Sequence, residues 1–430
     1  MKTLERYFEF ARLGTSWRTE ILAGTTTFFT MAYIVFVNPS ILRDAGMPFQ
    51  AVLAATCLAA AVGSILMGAL ARYPIALAPG MGINAYFTYT VVVGMHVPWE
   101  TALGAVFLSG LVFLTLTLTG ASQVIVKAIP PELYAAVACG IGLFIAMIGL
   151  RNAGIIVASP ATLVQLGNLR DPNTLLAIFG LLVTAGLQVR GVRAAMMLGI
   201  LTTVLAGATT GLISWTPASY SFADMGATFG KLDPIAASRL GLLEVVFVFL
   251  FVDVFDNVGT LVGVTKRAGL EVGPRMKRVL TANSLATLVG AASGTSTVVS
   301  YIESASGVVA GGRSGVTAIV TGLLFVVALF VAPLVGAVPQ AATAPALIVV
   351  GSLMMAHVGE IPWSNGAVAI PAFLTILTIP LTFSIATGLS FGFTAYALLK
   401  LVRGEFRKDD WLVYLLACLF IARFVYLGGA

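Results

Sequence analysis

The chain has 430 residues, of which 59% are hydrophobic and only 10% are charged. Soluble globular domains are typically about 45–50% apolar and about 25% charged, so this composition excludes a soluble enzyme, a disordered chain and a nucleic-acid-binding protein. The net charge of +6 therefore needs an explanation other than a nucleic-acid partner. We interpret the chain as one polytopic unit whose partner is the lipid bilayer.

Apolar segments recur along the chain, and each is close to the roughly 20 residues that a helix needs to cross a bilayer. Seven of them precede a polar stretch at 215–240, and they lie at 20–42, 50–71, 74–94, 99–119, 131–150, 173–189 and 194–213. Seven more follow it, at 241–264, 279–293, 295–310, 314–336, 341–358, 366–384 and 386–402. This pattern predicts an all-α polytopic membrane protein with fourteen transmembrane spans.

Basic residues predict the orientation of these spans. If the N-terminus is cytoplasmic, 18 of the 24 Lys and Arg residues fall on the cytoplasmic side. The six others are Arg43, Arg151, Arg170, Lys231, Arg239 and Arg423. Since Lys and Arg are enriched in cytoplasmic loops, we expect both termini in the cytoplasm of a cell whose inner membrane holds the protein. The same bias explains the positive net charge.

An odd number of spans in each half makes the second half insert upside down relative to the first, which is the inverted-repeat plan of many secondary transporters. We therefore expect one repeat at 20–213 and a second at 241–403. A final apolar stretch at 411–428 lies either in the membrane interface or against the bundle, and the sequence leaves both open.

The third span of each half has an unusual composition. Residues 75–94 and 294–312 are interrupted by Gly, Pro, Ser and Thr, and their β-branched runs favour short strands over a continuous helix. Non-helical backbone at membrane depth survives only where protein buries it or where it lines a cavity. Matched interruptions in the two halves are a pointer to a transporter's binding site, although kinked packing helices would explain one of them.

Three acidic residues lie in the middle of predicted spans, whereas the other fifteen lie in loops or near span ends. Asp253 and Asp256 fall in the eighth span, and Glu303 falls in the interrupted tenth. A carboxylate at mid-membrane is costly, so each is a candidate for substrate binding or proton coupling. Asp253, Asp256 and Thr260 are spaced to share one helix face, which we expect to line a cavity. The alternative for Asp253 is a hydrogen bond that only holds a neighbouring helix.

Asn84 occupies the third span at about the place that Glu303 holds in the tenth, and its amide offers a donor and an acceptor together. Gly82 would let the backbone approach a flat ligand, though glycine more often serves a helix contact. Thr27, in the first span, is a further candidate that could instead bond to its own helix. Residues beside the amide and the acid complete the predicted site: Ala85, Tyr301, Ile302 and Ser304.

Four motifs together resemble one transporter family. They are TTTFFTMAYIVFVNP at 25–39, APGMGINAYF at 78–87, VDVFDNVGTLVGV at 252–264 and GTSTVVSYIESASGVVAGGRSG at 294–315. With these motifs the chain resembles, over nearly its whole length, the purine-permease branch of the nucleobase–cation symporters, which carries guanine, hypoxanthine and adenine.

The resemblance implies a core domain of spans 1–4 and 8–11 and a gate domain of spans 5–7 and 12–14, through which such proteins often dimerise. It places the family's two base-binding carboxylates on Asp256 and Glu303 and its polar residue of the third span on Asn84. It further implies import of purine nucleobases by proton symport, with no cofactor and with sodium as the alternative coupling ion. Uracil permeases commonly carry His where this chain has Thr260, and that departure favours the purine branch.

Other functions stay open at this stage. An anion carrier of the same fold, for sulfate or bicarbonate, would need a cationic site at the interruptions, and a xanthine or uracil permease would share the acidic one. An intramembrane aspartyl protease would take its two acids from different helices. We therefore expect a transporter and not an enzyme, without a metal site.

Overall fold

The computed structural model describes residues 2–122, 125, 129–213, 226–239, 242–269, 275–331, 338–405 and 411–426. Helices dominate these ranges, and two short sheets contain two strands each. Of the polar stretch predicted to separate the halves, 215–240, residues 215–225 and 240 lie outside the described residues.

Helices of the first half coincide with the predicted apolar segments, and two short helices come before them. The first predicted span is divided between two helices that meet at Tyr33. The elements are α1 (Lys2–Tyr7), α2 (Phe10–Leu13), α3 (Trp17–Met31), α4 (Ile34–Arg43), α5 (Phe49–Leu66, extended by a π-helical turn at Met67–Ala71), β1 (Leu77–Pro79), α6 (Met81–Ala85, extended by a π-helical segment at Tyr86–Gly94), α7 (Trp99–Thr119), α8 (Pro131–Asn152), β2 (Ile156–Ser159), β3 (Leu163–Leu166), α9 (Pro172–Val189) and α10 (Ala195–Thr209).

The second half repeats one feature of the first. Its third segment is again a short strand followed by a short helix. The elements are α11 (Pro234–Ala237), α12 (Leu243–Ala268), α13 (Met276–Ser293), β4 (Val298–Ser300), α14 (Ser304–Val309), α15 (Gly315–Val331), α16 (Gln340–Met354, extended by a 3-10 turn at Met355–Glu360), α17 (Gly366–Thr382), α18 (Ile385–Val402) and α19 (Trp411–Tyr426).

Seven helical stretches of the described chain are long and apolar enough to cross a membrane, judged by length and composition. They are Trp17–Arg43, Phe49–Ala71, Trp99–Thr119, Pro131–Asn152, Pro172–Val189, Gln340–Glu360 and Ile385–Val402. Exposed Leu, Val, Ile and Phe side chains cover the outside of the bundle, as a lipid environment permits. The protein is a helical multi-pass membrane protein.

The C-terminal apolar stretch packs against the bundle, which decides between the two placements that the sequence left open. On α19, the Phe420 ring centroid lies 6.2 Å from that of Phe393 on α18 and 6.1 Å from that of Phe247 on α12.

A second feature has no signal in the sequence pattern: β2 and β3 form an antiparallel hairpin with the register Ile156↔Leu166 and Ser159↔Leu163.

Glycines allow α15 to approach its neighbours closely. A Cβ added to Gly24 of α3 would lie 2.6 Å from the carbonyl oxygen of Thr317, and one added to Gly322 would lie 2.7 Å from that of Ala61 on α5. Distances below about 3 Å are not sustained by real Cβ atoms, so larger residues would push these helices apart. Close backbone approach is a common basis of helix association in membranes, where no hydrophobic driving force acts between helices.

Glu20 is fully buried, although the sequence placed it among the acids near span ends. It lies in the first turn of α3, and its carboxylate caps α15 from the side. It accepts hydrogen bonds from the backbone N–H groups of Arg313 (3.0 Å), Ser314 (3.2 Å) and Thr317 (3.2 Å), and from the Thr317 hydroxyl (2.5 Å). Since the first N–H groups of a helix have no partner within it, Glu20 satisfies otherwise orphaned donors and joins the two helices.

Candidate functional site

The two interrupted segments meet as an antiparallel strand pair in the interior of the protein. Strands β1 and β4 pair with the register Leu77↔Ser300, Ala78↔Val299 and Pro79↔Val298, and all six residues are buried. Two further backbone bonds extend the pairing, from Gly80 N to Thr297 O (3.0 Å) and from Tyr301 N to Ala76 O (3.0 Å). The β-branched residues at 298 and 299 favour this extended backbone, as the sequence predicted.

A half-length helix begins where each strand ends. Helix α6 starts directly after Gly80, and α14 starts directly after Glu303, which occupies its N-cap position. The backbone N–H groups at a helix N-terminus carry partial positive charge. A carboxylate lies beside each helix start, but at α14 the N–H groups of Ser304, Ala305 and Ser306 already donate to the carbonyls of Tyr301, Ile302 and Glu303.

Glu303 is held by a tyrosine from another helix. The Tyr33 hydroxyl donates a hydrogen bond of 2.6 Å to Glu303 Oε1, and Tyr33 itself is fully buried at the junction of α3 and α4. Glu303 is partly exposed. A charge-assisted bond of this kind fixes one carboxylate oxygen in position. The second oxygen, Oε2, is then the one that can accept a hydrogen bond from a ligand.

Removing the Tyr33 hydroxyl should weaken ligand recognition by Glu303 without changing the fold. We expect Tyr33→Phe to raise the KM for the transported substrate about tenfold, because a hydrogen bond to a charged group contributes about 1.5–3 kcal/mol. Uptake kinetics in cells would measure the change. The matched control is Tyr7→Phe, whose hydroxyl bonds to Ala69 O at the exposed N-terminal segment. An unchanged KM in Tyr33→Phe would show that the bond does not order the site.

Asp256 lies at the N-terminus of the other half-helix. A Cβ added to Gly80 would come within 3.6 Å of Asp256 Oδ2, so this carboxylate sits against the backbone where β1 ends and α6 begins. Asp256 is partly exposed, and no hydrogen bond to it is found among the described residues. It is also near enough to Glu303 for the two carboxylates to interact electrostatically. The acids of the eighth and tenth predicted spans thus come together at one place.

Asp253 does not share this space, which corrects the expectation that both aspartates line one cavity. It is fully buried and accepts hydrogen bonds from Asn257 Nδ2 (2.6 Å) and Asn283 Nδ2 (3.1 Å). Residues three apart on a helix differ in direction by about 60°. That rotation is enough to turn Asp253 behind the strand pair, toward α13, while Asp256 faces its open side.

Asn84 is fully buried, and protein groups occupy both ends of its amide. Its Nδ2 donates to Asn38 Oδ1 (2.5 Å), and its Oδ1 accepts from the Ser296 hydroxyl. Asn38 in turn donates to Thr56 (2.7 Å) and to Thr295 (2.8 Å). In this structure the amide ties α6 to α4 and to the segment before β4. A direct contact with a ligand would require one of these bonds to be exchanged.

The residues beside Glu303 support the strand pair, except one. The Tyr301 hydroxyl donates to Pro79 O (2.6 Å), and the Ser304 hydroxyl accepts from Ala76 N (3.0 Å). Both bonds cross between the two interrupted segments. Ile302, by contrast, directly precedes Glu303 in the chain and has 48% of its surface exposed.

The remaining candidates lie in packing contacts. Ala85 is buried, and a Cβ on Gly82 would collide with the Ile141 side chain of α8, so Gly82 serves a helix contact. Thr27 is buried beside Gly307 of α14, and its hydroxyl has no hydrogen-bond partner among the described residues. Thr260 is 9% exposed, one turn after Asp256.

Sequence reasoning missed Tyr33, Asn38 and Asn257. All three are buried polar side chains within apolar spans, and each forms a bond that crosses to another element: Tyr33 to Glu303, Asn38 to Asn84, and Asn257 to the Ser300 N–H (2.7 Å). A polar residue inside a span was the available signal. That signal is strongest for acids because their burial is the most costly, and it is weaker for neutral groups such as a tyrosine hydroxyl or an amide.

A cluster of polar side chains around Asp44 lies at one end of the molecule, and it joins α4 to the segment after α6 and to α16. The carboxylate of Asp44, at the end of α4, accepts from the Tyr89 hydroxyl (2.8 Å) and from Gln340 Nε2 (2.8 Å), at the start of α16. The guanidinium of Arg151, at the end of α8, lies 4.7 Å from the centroid of the Tyr89 ring. By the predicted topology, all these positions are extracytoplasmic.

Opening this cluster should make the site more accessible from the extracytoplasmic side. We expect Gln340→Ala to increase labelling of a cysteine placed at Ile302 by an impermeant maleimide added from outside, because one tie to Asp44 is lost. The increase should be about five- to tenfold if the bond contributes about 1–1.5 kcal/mol to the closed state. Gln50→Ala is the matched control at the same end of the molecule. Equal labelling in both variants would show that the Asp44 cluster does not hold this end closed.

Solved structures support the fold. The transmembrane domain of a cyanobacterial bicarbonate transporter, BicA, superposes with a TM-score of 0.65 and 14% sequence identity, over 94% of this chain and 98% of that one. Identity this low carries information about the fold alone. It confirms a polytopic helical membrane architecture.

Sequence relatives identify the family. The Permease family matches residues 18–391. The guanine/hypoxanthine permease PbuG of Bacillus subtilis is 47% identical over 99% of this chain and 100% of its own length. The adenine permease AdeP of Escherichia coli is 44% identical over 99% of this chain and 97% of its own length. The resemblance read from the motifs is thereby confirmed, and the chain belongs to the Permease family, in the purine-permease branch of the nucleobase–cation symporters.

Proposed function

We propose that this protein imports purine nucleobases across the cytoplasmic membrane by proton symport. The observation that carries the proposal is the strand pair with a carboxylate at the start of each half-helix, Asp256 beside Gly80 and Glu303 bonded to Tyr33. The names of the relatives, guanine/hypoxanthine permease and adenine permease, support the same substrate class.

The arrangement suits a planar, neutral ligand with N–H groups on its edge. A purine base alternates N–H donors with ring-nitrogen and carbonyl acceptors. Glu303 Oε2 and the Asp256 carboxylate would accept from two of those donors, and backbone N–H groups at the start of α6 would donate to the acceptors. Ile302 would cover part of a ring face. A buried site of this kind rejects analogues that leave its polar groups unpaired.

Two carboxylates near each other also explain a coupling to protons. Both are unfavourable when charged in the membrane interior, and each disfavours the ionised form of the other. A proton bound at the site lowers its charge before the loaded protein changes conformation. Sodium is the alternative coupling ion, and it would lower the charge in the same way.

The proposed architecture is an inverted repeat of seven spans in each half, with residues 20–213 opposite 241–403. The matching order of elements in the two halves supports it, since a strand and a half-helix occupy the third position of each. Spans 1–4 and 8–11 would form a core that moves against a gate of spans 5–7 and 12–14 in alternating access. We place both termini in the cytoplasm and leave dimerisation through the gate to experiment.

Anion carriage is the alternative from another substrate class, since the bicarbonate transporter has this fold. The chemistry of the site disfavours it, because two carboxylates would repel bicarbonate or sulfate. A xanthine or uracil permease would be compatible with the two acids. Competition of purine uptake by xanthine and by uracil would distinguish such a permease from the one proposed.

Uptake of labelled hypoxanthine, guanine and adenine into purine-uptake-deficient bacteria expressing this chain tests the proposal. Uracil and xanthine serve as competitors, and a protonophore tests the coupling. Concentrative purine uptake that the protonophore abolishes is the expected result. Uptake that persists with the protonophore but requires sodium would show that sodium, and not the proton, is the coupling ion. The absence of uptake of any purine would reject the proposal.

A further inference from the structure

We propose that Asp253 is the residue that carries the coupling proton, on its Oδ2 atom, in a closed site behind strand β4. This inference rests on the proposed purine–proton symport, and it assigns the coupling proton to a residue outside the base-binding pair, in place of Asp256 or Glu303. Four residues define the site: Asp253 and Asn257 of α12, and Asn283 and Thr287 of α13.

The two oxygens of this carboxylate have different surroundings. Oδ1 accepts from two amide groups, Asn257 Nδ2 at 2.6 Å and Asn283 Nδ2 at 3.1 Å, and is therefore committed as an acceptor. Oδ2 has one long contact, 3.4 Å to the Thr287 hydroxyl. A proton added to the carboxyl group consequently finds its place on Oδ2. The site is sealed, since Asp253, Asn283 and Thr287 are all fully buried.

No cation neutralises this carboxylate among the described residues. The charged group that acts on it is Asp256, on the same helix, and that charge is also negative. From α13 it meets the neutral Asn283 and Thr287, and nearby β4 contributes Val298 and Ser300, which are neutral as well. An isolated buried charge is strongly unfavourable, so a proton is the simplest way to satisfy the group. Asn283 Oδ1 is also buried without a donor, and marks unused acceptor capacity beside it.

The site is connected to strand β4 at both ends. Thr287 Oγ1 lies 3.1 Å from Val298 O and accepts from Val298 N at 3.3 Å. Asn257, whose amide donates to Asp253, accepts from Ser300 N at 2.7 Å. Strand β4 pairs with β1 and leads directly into Glu303. A change in the hydrogen bonds of Asp253 would therefore alter the hydrogen bonds that Thr287 and Asn257 make to the backbone of β4, next to the base site.

Protonation would exchange one hydrogen bond for another. With Oδ2 protonated, its O–H donates to Thr287 Oγ1, and the Thr287 hydroxyl is free to donate to Val298 O. With Oδ2 ionised, the Thr287 hydroxyl donates to Oδ2 instead, and Val298 O loses that donor. The proton would reach Oδ2 from water in a conformation that opens the site to one side of the membrane, form the O–H bond there, and leave as that bond breaks in a conformation open to the other side. No further reactant is needed.

Purified protein in liposomes tests the assignment. Hypoxanthine counterflow without gradients reports exchange, and a pH indicator during uptake reports protons carried with the base. We expect Asp253→Asn to lose both proton uptake and accumulation driven by a pH gradient, while counterflow stays measurable, because Asn keeps an acceptor for Asn257 and Asn283. Asp171→Asn is the matched control, since it retains the N-cap of α9.

Thr287→Val provides a second route if Asp253→Asn does not fold. Losing the hydroxyl that faces Oδ2 should shift the pH at which uptake is half-maximal, and an unshifted pH profile would overturn the proposal. Purine-linked proton uptake by Asp253→Asn at the wild-type ratio would overturn it as well. Failure of the wild-type protein to exchange or accumulate any purine would instead reject the proposed function itself.

Discussion

Asp256→Asn and Glu303→Gln should each lower the kcat/KM of purine uptake by at least about a hundredfold, since a lost charged hydrogen bond contributes about 1.5–3 kcal/mol and an unpaired buried group adds to that. Each substitution keeps the size of the side chain and replaces one carboxylate oxygen with an N–H donor. A base N–H would then face another donor. The two acids stand beside the two half-helix starts, and no described neighbour replaces either one.

Binding and transport measured on the same variants separate recognition from coupling. Purified protein titrated with hypoxanthine should show weakened binding for both variants, in addition to lost uptake in cells. Asp171→Asn and Glu360→Gln are matched controls at exposed positions, where Asp171 caps α9 and Glu360 pairs with His357. If either site variant retained wild-type concentrative uptake, the base-binding pair proposed here would be wrong.

Glu20→Ala should destabilise the folded protein by about 2–4 kcal/mol, because it leaves several buried N–H donors without an acceptor. The Glu20 carboxylate accepts from three backbone N–H groups and one hydroxyl around the start of α15, and it is fully buried. Those bonds also join α3 to α15 at one end of the bundle. The loss should appear as a lower melting temperature of the purified protein in detergent.

Glu20→Gln should retain part of this stability, since its amide oxygen accepts from the same N–H groups without the charge. Glu5→Ala, at a half-buried position of α1 where the acid accepts from the Trp17 indole N–H, is the control for losing an acidic side chain near this end. A melting temperature equal to that of the wild type in Glu20→Ala would show that the cap of α15 does not stabilise the fold.

The membrane class, the approximate positions of the helices and the two interruptions could all be predicted from the amino-acid pattern. These features are local, because hydrophobic length, Gly and Pro content and β-branched runs act on the backbone within a few residues. The strand segments at 77–79 and 298–300 were predictable for that reason. Glu303 and Asp256 could be chosen as candidates because an acid within an apolar run is visible without a structure.

Only the tertiary structure decided which polar side chains meet. Tyr33 and Glu303 are 270 residues apart, and the hydrogen bond between them depends on how α3 and α4 pack against α14. Asp253 and Asp256 look equivalent in sequence, yet a rotation of about 60° around one helix leaves Asp253 fully buried against α13 and Asp256 partly exposed beside Gly80. Hydrogen bonds are short-ranged and directional, so their partners follow from packing that the periodicity of a sequence does not specify.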